Sequence, residues 1–364
     1  MGVLRTKKKL RIGYHWPKTE GQKGGIARYI RCILENVDES DFECVNFSDL
    51  RILSGSFIRK VIFLLDLFCP VFNIRHQKID VYWGVAHKLP LFRIKGVKYV
   101  VTIHDLVWKR CPDTMPLLRR LAERFFFPFA VQNADVILAV SQSTADDIIR
   151  YFPSHAAKVK VSPLAGMLED QKNISVSFSS DQKYILFVGT IEPRKNIEKM
   201  LTAYADLPLN LKKKYTLCIV GSTGWGKIKL DDIAAELGIS SYVEWKSAVN
   251  DQELVRLYKN GYCLLFPSLY EGFGLPIIEA QNFGVPVITS NTSSMPEVVG
   301  DGGILVDPNS VSSIKNALRS LLENVELRDS LSQKARNNSL RFSWARTCQS
   351  TCEAFYESLN LRDT

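Results

Sequence analysis

The chain is poor in the groups that most directly advertise a chemistry. Its 364 residues hold five histidines, and no Asp-x-Asp occurs anywhere. A diphosphate held through a divalent cation ordinarily wants such a carboxylate pair, so neither a metal nor another cofactor is expected. The eight cysteines are scattered without a C-x-x-C, and Cys348 and Cys352 form an isolated pair with no histidine beside them. That pattern excludes a zinc ribbon and agrees with a reducing compartment. No apolar run is long enough to cross a bilayer; the longest, 61–74, is broken by Asp66 and Pro70. The N-terminus lacks the apolar core of a signal peptide, and low-complexity tracts are absent. No helix-turn-helix, finger or basic-aromatic motif is there to read bases, so nucleic acid is not an expected partner.

What is present is an ordinary globular composition, 46% hydrophobic and 23% charged, in a length that suits two domains. The net charge of +9 is lopsided. Residues 1–180 hold 27 Lys and Arg against 17 Asp and Glu, whereas residues 181–364 hold 20 against 21. A basic first half attracts anionic surfaces or anionic acceptors, although a solvated basic face is the plainer alternative. The 61–74 stretch reads as a buried or half-buried helix. Its flanking Arg59, Lys60 and Arg75 also suit an apolar face resting on anionic lipid.

Short β-branched and aromatic runs recur between helical stretches. They fall at 10–16, 43–48, 80–85, 99–105, 135–141 and 159–165, then at 184–190, 215–221, 242–247, 262–268, 286–290 and 303–307. Several are apolar on both faces, as strands inside a parallel sheet must be. Strand-helix alternation of this kind predicts an α/β chain of two Rossmann-like, doubly wound domains, 1–170 and 183–345. The polar stretch 167–182 reads as their linker. The tail, 346–364, reads as a helix that packs on the second domain or crosses back to the first. In such sheets ligands sit beyond the carboxyl ends of the strands, so the chemistry is sought in the loops that follow them, facing an interdomain cleft.

The most informative stretch is P-S-L-Y-E-G-F-G-L-P-I-I-E-A over 267–280. It joins a strand end, a glycine-broken turn and a helix start. Gly272 and Gly274 permit close backbone approach. Pro276 fits the first helical turn, where free N–H groups can bind a phosphate. Carboxylates beside a phosphate repel it, so Glu271 and Glu279 make sense as acceptors of sugar and ribose hydroxyl hydrogen bonds. Either glutamate alone is equally an exposed loop acid or an ordinary helix residue. The stretch G-T-I-E-P-R-K-N over 189–196 also leaves a strand and enters a helix. Arg194 and Lys195 there can neutralise a diphosphate leaving group. Cations at a helix start oppose its dipole, so something anionic should compensate them. Gly24 and Gly25 open a helix after the first strand and suit phosphate contact, a weak signal without the dinucleotide fingerprint. The glycine-rich 221–226 reads as a plain strand-to-helix turn. His104 ends a strand and can hand on a proton or a hydrogen bond near neutrality, though a lone histidine is more often structural.

Together these motifs resemble the retaining GT-B glycosyltransferases of family 4. The resemblance covers nearly the whole chain and is densest over 184–308. Glu271 and Glu279 match the family's E-x7-E pair, which implies donor-sugar contact for the first and ribose contact for the second. It implies that backbone N–H groups at Gly272, Phe273, Gly274 and Leu275 hold sugar and phosphate, and that Arg194 and Lys195 clamp the diphosphate. Gly25, with Gly24 beside it, matches the glycine that approaches the phosphates from the first domain. His104 matches a histidine near the donor sugar. Residues 246–249, with Ala248 and Val249, match the segment whose backbone reads the base. The 294–298 stretch matches a structural element. One departure is Thr190, where many members carry arginine. The pattern over 189–196 is similar to that of mannosyltransferases of bacterial surface polysaccharides. It implies GDP-mannose as donor, a glycan or lipid-linked acceptor, and a cytoplasmic enzyme peripheral on the inner face of the membrane. Two other classes stay open: a sugar-nucleotide epimerase on the same fold, and a non-catalytic protein that keeps only the binding site.

Overall fold

In the computed structural model, which describes residues 9–16, 24–47, 74–166, 183–226 and 228–360, each of the twelve apolar runs overlaps a strand. The first six are β1 (Leu10–Tyr14), β2 (Phe42–Asn46), β3 (Val81–Gly84), β4 (Lys98–Ile103), β5 (Val136–Ala139) and β6 (Val159–Val161). They form one parallel sheet in the order β2-β1-β3-β4-β5-β6. The other six are β7 (Lys183–Val188), β8 (Tyr215–Val220), β9 (Val243–Lys246), β10 (Gly261–Phe266), β11 (Val287–Ser290) and β12 (Gly303–Val306). Their parallel order is β12-β11-β10-β7-β8-β9. The central strands β4 and β10 are buried along their whole length, because helices cover both faces of each sheet.

Strand order reverses at one place in each sheet. In the first sheet the break lies between β1 and β3, and in the second between β10 and β7. Beyond it, successive crossover helices run away on opposite faces and leave a crevice at the carboxyl ends of the strands. The loops after β7 and β10 are the two glutamate- and cation-bearing stretches singled out above, so the topology brings them side by side.

The described residues divide into two compact units. One takes those within Met1–Leu106, Leu121–Leu164 and Trp344–Thr364; the other takes Val107–Arg120 and those within Ala165–Ser343. The helices used below are α1 (Gly25–Asn36), α2 (Leu117–Asn133), α3 (Leu275–Asn282), α4 (Met295–Val299) and α5 (Trp344–Asn360). The tail helix α5 is part of the first unit: Phe355 packs edge-on against Trp83 and Phe42, with ring centroids 5.8 and 6.1 Å apart. The Thr347 hydroxyl donates to the Pro163 carbonyl at 2.7 Å. The segment Val107–Arg120, which the strand pattern assigns to the first domain, groups with the second unit instead. Its anchor is Trp225, whose indole N–H donates to the Thr114 carbonyl while Arg119 lies over the ring at 4.8 Å. The expected linker 167–182 lies outside the described residues, as does 61–74 except for the buried Ile74.

Candidate active site

The strongest convergence of charged groups in the second unit is where the β7 and β10 loops meet. After β7 the chain makes a tight turn over Pro193–Lys195 and passes through Asn196 in the left-handed region, φ 59°. The Asn196 amide donates to the carbonyls of Pro267 and Pro308, at 3.0 and 2.7 Å. The Leu269 N–H donates to the Arg194 carbonyl at 2.8 Å. The two loops are thereby fixed to each other through their backbones.

On that frame Arg194 and Lys195 converge on Glu271. Lys195 Nζ is 2.6 Å from Glu271 Oε1, and an Arg194 guanidinium nitrogen is 2.6 Å from Oε2. Arg194 also reaches Glu192 at 2.6 Å and the Tyr270 carbonyl at 2.7 Å. Glu192, Lys195 and Glu271 are all buried. Burial works against ionising Glu271, but Arg194 and Lys195 overcome it and hold the carboxyl at about 2. Burial lowers the Lys195 pKa, and Glu271 opposes that shift. The thiol of Cys111 lies in electrostatic reach of Arg194 and Glu271, and burial pushes it up.

The anion expected to compensate the two cations is therefore protein carboxylate in this structure. Glu271 turns both oxygens to them, and with Lys195 buried and Arg194 half-buried they are not a solvated helix start. The four groups Glu192, Arg194, Lys195 and Glu271 neutralise one another. A ligand bearing phosphate and hydroxyls can exchange with this arrangement without leaving a bare charge, since phosphate suits the cations and hydroxyls suit the carboxylate.

The glycine turn that carries Glu271 is held by hydroxyls from β11 and the residues after it. Thr289 and Ser290 donate to the carbonyls of Phe266 and Ser268, at 2.8 and 2.6 Å. Thr292 donates to that of Leu269 at 3.2 Å, and Ser293 accepts from the Glu271 N–H at 3.0 Å. Ser294, just before α4, donates to both Glu271 and Phe273 carbonyls, at 3.0 and 2.8 Å. Gly274 caps α3 with φ 98°, a left-handed conformation that suits glycine, and Leu275 and Pro276 begin the helix. No side chain caps that start, and the Ile277 N–H donates to the Gly274 carbonyl at 2.9 Å. Gly272 and Phe273 are buried in the same turn.

Glu279, on the next turn of α3, is buried and accepts from the Tyr258 hydroxyl at 2.7 Å. Thr190 is exposed at the start of the loop after β7, and Ala248 and Val249 follow β9, one exposed and one half-buried. The 221–226 turn is more than a plain connection. A Cβ on Gly221 would stand 1.9 Å from the Gly189 carbonyl oxygen, so only glycine lets these two loops touch. Ile191 and Thr223 then bridge them.

Gly24, Gly25 and His104 belong to the first unit. Gly24 and Gly25 are exposed at the start of α1, after β1 at that sheet's reversal point. His104 follows β4 and donates from Nε2 to the Val85 carbonyl at 2.9 Å, with the Tyr29 ring edge-on at 5.2 Å. Burial pushes its pKa down to about 4. The imidazole is thus neutral near pH 7 and acts there through hydrogen bonds, not as the near-neutral titrating group that its unperturbed pKa suggests.

Sequence reasoning missed Glu192, Tyr258, the hydroxyl run Thr289-Ser290-Asn291-Thr292-Ser293 and the half-buried His87–Glu123 pair, 2.5 Å apart in the first unit. Only the hydroxyl run carried a signal, five consecutive small polar residues at a strand end.

The comparisons with known proteins place the chain in a family. The family described as Glycosyl transferases group 1 matches residues 169–338, and Glycosyltransferase Family 4 matches residues 24–165. The chain is 31% identical to an O-antigen chain mannosyltransferase B of Escherichia coli over 344 residues, covering 90% of this chain and 88% of that one. In fold it is similar to a sucrose-phosphate synthase from Thermosynechococcus elongatus, with TM-score 0.74, 18% identity, and 96% and 99% of the two chains covered. It is also similar to Anabaena HepE in complex with UDP-glucose, with TM-score 0.71, 17% identity, and 96% and 100% covered.

Proposed function

Because the chain belongs to the group 1 and family 4 glycosyltransferases, whose GT-B fold its two parallel-sheet units share, we propose that it transfers mannose from GDP-mannose, with retention, to a hydroxyl of a glycan or lipid-linked acceptor in surface-polysaccharide assembly. The donor binds to the second unit and the acceptor is received by the first. The observation that carries this reading is the grouping of Glu271 with Arg194 and Lys195 at the strand-order reversal of the second sheet.

In the reaction the bond from the anomeric carbon to the diphosphate oxygen breaks, and a bond to the acceptor oxygen forms on the same face. The acceptor proton passes to a phosphate oxygen. Negative charge grows on the departing diphosphate, and Arg194, Lys195 and the N–H groups at the α3 start stabilise it. Glu271 exchanges its cations for hydroxyls of the donor sugar, and Glu279 takes the ribose. The backbone at Ala248 and Val249 reads the base. Gly24 and Gly25 approach the phosphates, and His104 donates a neutral hydrogen bond near the donor sugar. With two cations at the diphosphate and no Asp-x-Asp in the sequence, transfer needs no metal, and a chelator leaves the rate unchanged.

The mannose assignment rests on the relative named above, and the HepE complex with UDP-glucose marks the main rival donor. A thermal-shift screen of GDP, UDP and ADP sugars decides the base. Transfer from GDP-mannose by Glu271→Ala and Lys195→Ala proteins then tests the site; rates like wild type in both would overturn it. Donor incubated alone separates an epimerase, which makes a new sugar nucleotide, from a transferase, which at most hydrolyses it slowly. Among the described residues no helix is long and apolar enough to cross a membrane.

A further inference from the structure

The tail helix α5 carries two thiols one helical turn apart, a pair that the proposed reaction does not use. Cys348 Sγ and Cys352 Sγ are 4.0 Å from each other. Residues four apart on an α-helix have Cα atoms about 6.2 Å apart, from the helix radius and rise, inside the roughly 4.4–6.8 Å that a disulfide spans. The backbone of α5 therefore suits the bond as it stands, and the sulfurs close by turning about their side-chain torsions. Cys348 is buried and Cys352 half-buried, so hydrogen peroxide, little larger than water, reaches the pair from the Cys352 side. The hydrogen bond between the two lowers the Cys348 pKa, against the effect of burial, and raises that of Cys352. One sulfur is thus readied as a thiolate while the other holds the proton.

The surroundings tolerate closure and carry its effect inward. Cys348 Sγ also lies 3.7 Å from the Ile33 carbonyl of α1. That carbonyl accepts the Val37 N–H at 2.9 Å, so losing a weak S–H donor leaves no bare acceptor. The same turn of α5 carries Thr351. Its hydroxyl donates to the Thr347 carbonyl at 2.8 Å and is a hydrogen-bond partner of the buried Tyr29 hydroxyl. Tyr29 also meets the Thr102 hydroxyl at 3.0 Å, and Thr102 accepts the Trp83 indole N–H at 3.0 Å. The Tyr29 ring lies edge-on to His104. A bond drawn across this turn therefore pulls on a buried hydrogen-bond chain that ends against His104.

We propose that Cys348 and Cys352 form a redox-responsive dithiol that closes to a disulfide and so loosens the hydrogen-bond chain through Tyr29. The oxidant is a peroxide. One thiolate displaces hydroxide from it and becomes a sulfenic acid; the other thiol then attacks that sulfur and water leaves, so two thiols and one hydrogen peroxide give one disulfide and two waters. In reducing surroundings such a bond is transient, because thiol reductants reopen it. The test exposes the full chain to hydrogen peroxide, alkylates the remaining thiols and digests with trypsin. Cleavage after Arg346 and Arg362 isolates 347–362, which holds these two cysteines and no other. That peptide is expected unalkylated and lighter by two hydrogens, with both thiols restored by dithiothreitol. Hydrogen exchange over α1 quickens in the oxidised protein. Transfer by wild type falls about fivefold, the worth of about one hydrogen bond, and returns on reduction, whereas Cys352→Ser protein keeps its rate under peroxide. Only the transfer measurement rests on the proposed function; the peptide mass and the exchange are read without it. The proposal is overturned if both thiols stay free, or if the bond forms and exchange over α1 is unchanged. It is overturned too if Cys352 is found joined to Cys44, the β2 thiol within electrostatic reach of the pair. Equal loss of transfer by Cys352→Ser protein under peroxide also overturns it, because the sensitive thiol is then another, such as Cys111, before α2 and in electrostatic reach of Arg194.

Discussion

Replacing Glu271 with glutamine keeps the shape of the side chain and removes its charge. Buried Lys195 and half-buried Arg194 are then left with Glu192 as the nearest acid. The depression of the Glu271 carboxyl from 4.5 to about 2 corresponds to about 3 kcal/mol of favourable interaction with its surroundings. Breaking a buried ion pair by removing one partner typically costs about 3–5 kcal/mol, which agrees. A loss of about 3 kcal/mol in a unit of this size lowers its melting temperature by about 6–12 °C. Calorimetry of Glu271→Gln should show that fall in the transition of the second unit. Adding Lys195→Met should recover part of it, because the second change removes the charge that the first stranded. Transfer should drop about 100-fold or more, since the carboxylate proposed above to orient the sugar is gone. Nucleoside diphosphate should still bind, because the cations are freed. An unchanged melting temperature together with wild-type transfer would refute the reasoning from structure to site.

Three further outcomes are expected. Glu271 has a depressed folded-state pKa, so its contribution is present above 4.5 and is lost as the pH falls from there toward 2; acid titration of stability should steepen in that window for wild type and flatten for Glu271→Gln. Ser294→Ala leaves the Glu271 and Phe273 carbonyls without their shared donor, and should cost about 1–3 kcal/mol in chemical denaturation while lowering kcat more than it raises the donor KM. Gly221→Ala drives a Cβ into the Gly189 carbonyl and should destabilise by about 3 kcal/mol or more, with circular dichroism melting as the readout.

Much of this protein was legible before folding. Apolar runs at strand spacing marked all twelve strands, since residues buried on both faces of a parallel sheet must be apolar and β-branched. Gly274 and Pro276 marked a helix start, because dihedral limits are local. Glu271, Arg194 and Lys195 stood out because charged residues at strand ends have few structural reasons to be there. What the sequence did not contain was their pairing. Lys195 and Glu271 lie 76 positions apart, and they meet only because β10 returns to lie beside β7. Glu192, to which the sequence reading assigned no role, is buried against Arg194. Likewise, Trp344 and Phe355 declared a helix with an apolar face, but only packing against Trp83 and Phe42 assigned it to the first unit. By itself the sequence determined where strands, turns and charges fall along the chain, because those depend on neighbours within a few residues. Strand order and long-range burial decided which charges neutralise each other, because the field at a side chain is set by everything packed around it, whatever its distance along the chain.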